Sequence, residues 1–191
     1  FDKVQDINTE LVNDLYMSIG FEFFKSDNYK LAIDSFIKQL AIEKEKNNKN
    51  GIINTLTNIG LSYFYLGAYG DALAYFDKSI AHDGIENLWA PVETLVFKHV
   101  SQKMLGLPVN DDYLKSLIEG LEKDNSLWFR NEPAYINWAL FEYSGDKKYI
   151  EAAYDKIMKV VSKMNQEYSN LFLSYSIQQR ILDSFNKLNN I

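Results

Sequence analysis

Apolar positions along this chain recur with the period of helices. Tyr29, Ala32, Ile33, Phe36, Ile37 and Leu40 fall at i, i+3, i+4 and i+7, the stripe of an amphipathic helix. Tyr69, Ala72, Leu73, Phe76 and Ile80 repeat that stripe. Ser26–Asp27–Asn28 and Gly67–Ala68 carry cap and turn chemistry, so each predicts a tight connection between two helices. Only 3 prolines interrupt the chain, and long stretches lack both Gly and Pro, which favours helices over strands and turns.

The stripes belong to a larger self-similarity. Shifted by 40 positions, the sequence lands on itself: Ile19–Gly20 on Ile59–Gly60, Phe24 on Phe64, Tyr29 on Tyr69, Ala32 on Ala72, Phe36 on Phe76, Lys38 on Lys78. Gly20 and Gly60 sit inside helical patterns, where glycine costs ~1 kcal/mol relative to alanine. Close approach of a second helix is the usual compensation. Ala32 and Ala72 are the small residues expected to meet the glycines across each pair.

These residues resemble the tetratricopeptide (TPR) motif, W-x2-L-G-x2-Y, a turn, then Y-x2-A-x3-F. Ile59, Gly60, Tyr63, Gly67, Tyr69, Ala72 and Phe76 match it, with Leu56 where the motif prefers Trp. Tyr16, Ile19, Gly20, Phe23, Tyr29, Ala32 and Phe36 match it in the first copy. The family period is about 34, so each unit here carries about six extra residues, expected to lengthen the helices near Glu43–Asn54. The resemblance implies an all-α, right-handed superhelical array of antiparallel helix pairs, a TPR-like solenoid of about nine helices.

The resemblance fades along the chain. Residues 1–84 hold two clear repeats, 85–165 degenerate helix pairs, and 166–191 a closing helix, within a single domain of 191 residues. Asn87–Leu105 and Asp111–Lys123 read as one pair, with Gly106 and Pro108 at its turn. Ala134–Val161 reads as another, with Tyr143, Tyr149 and Ala152 in motif positions but Lys156 where the motif wants Phe. The closing helix, Tyr168–Leu188, carries two apolar stripes. Leu171, Phe172, Tyr175, Leu182, Phe185 and Leu188 form one; Leu173, Ile177 and Ile181 form the other. Either something covers the second stripe, such as a homodimer partner, or the helix breaks near Ser174–Ser176 so that both stripes meet one core. The start at Phe1 suggests a piece of a longer protein.

In the TPR family the first helices of successive pairs line a concave face that holds a peptide or a helix. Carried over by position, the candidate groove residues are Met17, Phe21 and Phe24 on the first helix, with Asp14 beside them. On the third helix they are Asn54, Thr57, Asn58, Leu61, Phe64 and Tyr65. The competing reading is that the aromatics are core. Family members that clamp chaperone C-terminal carboxylates use Lys and Asn on the first helix. Here those positions are Met17 and Phe21, so that ligand is not expected.

Charge and composition narrow the partner. The net charge of -6 argues against nucleic acid and anionic membrane, which need a basic surface. No apolar run approaches a membrane span of about 18 residues. Cysteine is absent, so there is no disulfide framework and no thiolate zinc site, which fits a cytoplasmic location. Lys44–Lys49, with Glu43 and Glu45, reads as solvated surface, as do Glu119 and Glu122. Phosphate loops, nucleophile elbows and zincin motifs are missing, and His82 and His99 read as surface or satisfied core residues. Trp128–Pro133 reads as a plug between helix pairs or as a stacking platform. The resulting expectation has no catalytic residue, metal or cofactor. It is a protein or peptide interaction scaffold, the regulatory module of a larger intracellular signalling protein. The alternative is a ligand-sensing domain for a small molecule or short signalling peptide.

Overall fold

A computed structural model describes residues 2–82, 90–109, 112–123 and 134–190. Among the described residues there are ten helices and no strand. They divide into two compact units, Phe1–Pro108 and Val109–Ile191. Trp128–Pro133 and Asp111 lie outside the described residues.

The first unit contains α1 (Asp2–Lys25), α2 (Tyr29–Glu45), α3 (Lys49–Tyr65), α4 (Tyr69–His82) and α5 (Ala90–Met104). Each packs on the next, and α5 also packs on α3. The extra length relative to a short helix-pair repeat goes into α2 and α3, each 17 residues, with only Lys46–Asn48 between them.

Three turns in this unit are built alike. Asp27, Asn47 and Gly67 all have left-handed backbones, with φ of 60°, 51° and 83°. The next residue closes each helix: Asn28 N–H donates to Phe23 O at 2.8 Å, Asn48 to Glu43 O at 2.9 Å, Ala68 to Tyr63 O at 2.9 Å. The left-handed residue itself donates to the carbonyl three positions back, completing a Schellman motif. The carbonyls of Asn28, Asn48 and Ala68 then accept from Ala32, Ile52 and Ala72, so the residue that ends one helix starts the next. This even spacing of turns underlies the 40-residue repeat. A Schellman turn also ends α5, with Gly106 at φ 67°.

The small residues lie inside the helix pairs. Gly20, Gly60, Ala32 and Ala72 are all buried. What each glycine meets most closely is the phenylalanine one turn beyond the alanine: Gly20 lies against the Phe36 ring and Gly60 against Phe76.

The second unit contains α6 (Asp112–Lys123), α7 (Ala134–Ser144), α8 (Lys147–Val161), α9 (Gln166–Ser174) and α10 (Ser176–Asn189). α7 and α8 form a hairpin, α10 packs on both, and α9 packs on α10. Asp146 caps α8 by accepting from Lys148 N–H. The buried face of α8 is Tyr149, Ile150, Ala153 and Ile157. The buried small residue is thus Ala153, not the motif-aligned Ala152, and Lys156 falls beside the core face. The expected closing helix is two helices. Tyr175 takes an extended conformation (ψ 145°) between α9 and α10, so the described residues hold ten helices where about nine were expected.

Candidate functional site

The candidate groove residues separate into two groups. Met17 and Phe21 on α1 are 36% and 37% exposed, Asn54 on α3 is exposed and Asn58 is half-buried. Asp14 is exposed beside them. Phe24, Thr57, Leu61, Phe64 and Tyr65 are buried and belong to the core. The reason is α5. Its Phe97 meets Phe64 edge-on at 5.1 Å and tilts against Tyr65 at 6.1 Å. Its Thr94 shares a hydrogen bond of 2.8 Å with Thr57, which also bonds Ser79 at 3.0 Å. Ser79 Oγ donates to the carbonyl of Ile53. A chain of buried hydroxyls therefore ties α3, α4 and α5 together on the face where a groove lining was expected. Phe24 is taken up differently, edge-on to Tyr29 and Tyr65, each at 5.5 Å.

What stays accessible is a strip on α1, Asp14, Met17 and Phe21, together with Asn54 on α3. Phe21 is held by an edge contact with the buried Phe36 ring at 5.4 Å, so one side of the ring is anchored and the other open. The α1 strip offers apolar contact with an acid beside it, and no cation among these four side chains.

A buried polar junction was missed in the sequence. Glu43, read there as solvated, is 3% exposed. Its Oε1 accepts from Asn13 Nδ2 of α1 at 2.8 Å. Its Oε2 rests where a side chain at Gly51 would begin, in the first turn of α3, whose positive pole offsets the carboxylate charge. Glu43 thus joins α1, α2 and α3. A signal was available: Glu43 continues the stripe of Phe36 and Leu40 by i+7 and i+3.

Other titratable groups are accounted for locally. His99 is buried, with Nδ1 2.6 Å from the Leu95 carbonyl, and His82 is exposed in the last turn of α4. Tyr63 stacks on Tyr75 at 5.4 Å. Burial, then the neighbouring Tyr75, Asp71 and Asp34, raise its pKa above the ordinary phenol value. Among the described residues no cluster of three His, Asp or Glu could hold a metal ion, and no helix is long and apolar enough to cross a membrane.

No family model, curated protein or solved structure matches this chain.

Proposed function

We propose that the first unit is a TPR-like repeat module that binds a protein or peptide, and that the chain is an interaction scaffold rather than an enzyme. The observation that supports this best is the repeated contact of Gly20 with Phe36 and Gly60 with Phe76, framed by identical turns. Repeated helix pairs of this kind present an extended surface instead of a single reaction centre. In this reading the binding strip is Met17 and Phe21 with Asn54 and Asn58, narrower than the full set of groove positions because the others are buried. The protein acts as a regulatory module inside the cell, and its ligand presents an apolar anchor flanked by hydrogen-bonding backbone.

Selection from a displayed random-peptide library against the whole chain tests this. Enriched peptides should share an apolar anchor, and M17D/F21D should weaken their binding at least about tenfold, which is about 1.4 kcal/mol, without changing helix content. Selection that yields no common pattern, or binders indifferent to M17D/F21D, would overturn the reading.

A further inference from the structure

The accessible strip of α1 is acidic at one end and apolar at the other. Asp14, Met17 and Phe21 stand at i, i+3 and i+7, one behind the other on one face. That face is turned toward the helices that follow α1. Forty positions on from Met17, Thr57 shares its 2.8 Å hydrogen bond with Thr94 of α5, two helices downstream. The helix two downstream of α1 is α3, and it leaves Met17 and Phe21 more than a third exposed.

The charge at the acidic end is uncompensated. Glu10, one turn before Asp14, is paired with Lys46 at 3.3 Å. Asp14 itself is exposed and has no ion pair among the described residues. The strip therefore begins in a free carboxylate and ends on the open side of the Phe21 ring.

We propose that this strip takes an extended peptide segment with a basic residue over Asp14 and an apolar anchor on Phe21, which rests on the reading of Met17 and Phe21 as the anchor site. Asn54 and Asn58 favour an extended chain. They lie one turn apart on α3, a rise of about 6 Å, close to the roughly 6.6 Å between alternate residues of a strand. Their amides can pair with successive backbone groups on one edge of such a segment, whereas a helix has satisfied its own backbone. Tyr65 of α3 meets Phe24 of α1 with ring centroids 5.5 Å apart, which keeps the two helices within reach of one ligand. Asp14 and Phe21 are seven residues apart, a rise of about 10 Å, which about three residues of extended chain span. A solvent-exposed ion pair adds only about two- to fivefold in affinity. Asp14 thus selects and orients the segment, and the apolar anchor holds it.

Peptides selected from a displayed random library against the whole chain, then measured singly by fluorescence anisotropy, test this. Enriched sequences should place Lys or Arg about three residues from the apolar anchor. Replacing that cation with Gln should weaken binding about two- to fivefold, and Asp14→Asn should do the same. Both changes together should weaken it no further than either alone, because they remove one interaction. The cation's contribution should shrink as salt is raised. M17A/F21A, which alters no charge, reports on the anchor itself. Peptides that lose binding to M17A/F21A but show no preference for a cation, or keep that preference against Asp14→Asn, would overturn the proposal while the anchor reading stands. So would a cation about seven residues from the anchor, since the occupant would then be a helix. Peptides indifferent to M17A/F21A, or no enrichment at all, would remove both.

Discussion

Gly20 lies directly under the Phe36 ring: a Cβ at residue 20 would stand 2.5 Å from Cε1 and 2.7 Å from Cδ1. Gly60 repeats this against Phe76 with the same two distances. Gly20→Ala therefore has opposing effects. Helix propensity improves by up to ~1 kcal/mol, while the ring or the helix must move, which costs ~1–3 kcal/mol. We expect a net loss in urea denaturation, and a smaller loss when Phe36→Leu is combined with it, because the two residues share one contact. A stabilised Gly20→Ala protein would mean that the close approach is not what keeps the glycine.

The left-handed turns give a second test. At Gly67 nothing lies within 4 Å of where a Cβ would be, so the demand there is purely conformational. Gly67→Val should cost ~1–2 kcal/mol from the left-handed backbone alone. Asn47→Gly, at the equivalent turn, should change stability by only a few tenths, since asparagine already tolerates that region. Equal effects at both sites in thermal unfolding would show that the turns are not equivalent.

Glu43 and Asn13 form a hydrogen bond between a charged group and an amide, both buried. Asn13→Ala removes the donor and should cost ~1.5–3 kcal/mol. Replacing both partners with leucine should cost less than Glu43→Ala alone, because no polar group is then left stranded. If Asn13→Ala were neutral in urea denaturation, the bond would not be what holds α1 in place.

Tyr63 provides a test in alkaline solution. Burial raises its pKa, and Tyr75, Asp71 and Asp34 add to the shift. The folded protein thus favours the neutral phenol. Its contribution is fully present below the ordinary tyrosine pKa of about 10 and is lost as pH rises through the higher folded value. Comparing phenolate absorbance of the protein with that of Tyr63→Phe isolates this group. The missing component should titrate above free tyrosine, and Asp71→Asn should bring it down. Titration at or below the free value would contradict the burial seen here.

The parts of this fold legible in the sequence are those where one residue type has one physical use. A glycine inside a helix, an alanine and a phenylalanine four residues apart, and a polar turn recurring at fixed spacing together reveal α1 to α4. Asn47 was harder to recognise because it sits in a Lys- and Asn-rich run that looks like any solvated surface. Glu43 was hidden because a carboxylate is rarely buried, and the partner that permits it, Asn13, lies in another helix. Five of the nine groove positions, Phe24, Thr57, Leu61, Phe64 and Tyr65, proved to be core. Helical spacing says which face a residue is on, but not which neighbour covers that face, and α5 barely carries the motif.

The last helices bear on both readings of the C-terminal stripes. With the chain extended at Tyr175, the residues before and after it no longer share one helical face. Ile181 is fully buried, while Leu173 and Ile177 are half-buried. Three further contacts dock α10 inside its own unit: Phe185 stacks on Tyr154 at 3.8 Å, Trp138 Nε1 donates to Ser184 Oγ at 3.1 Å, and Arg180 lies over the Trp138 ring. Ile181 therefore serves the core of the second unit. Ile181→Ala should lower stability by ~2–5 kcal/mol, the usual cost of emptying a buried aliphatic site, and should loosen the environment of Trp138, visible in near-ultraviolet circular dichroism. It should leave the mass measured by light scattering unchanged. Were the chain instead a dimer held through α10, Ile177→Lys at the half-buried position would dissociate it while the monomer stayed helical. A halved mass with unaltered helix content would transfer the second stripe from the core to an interface between copies.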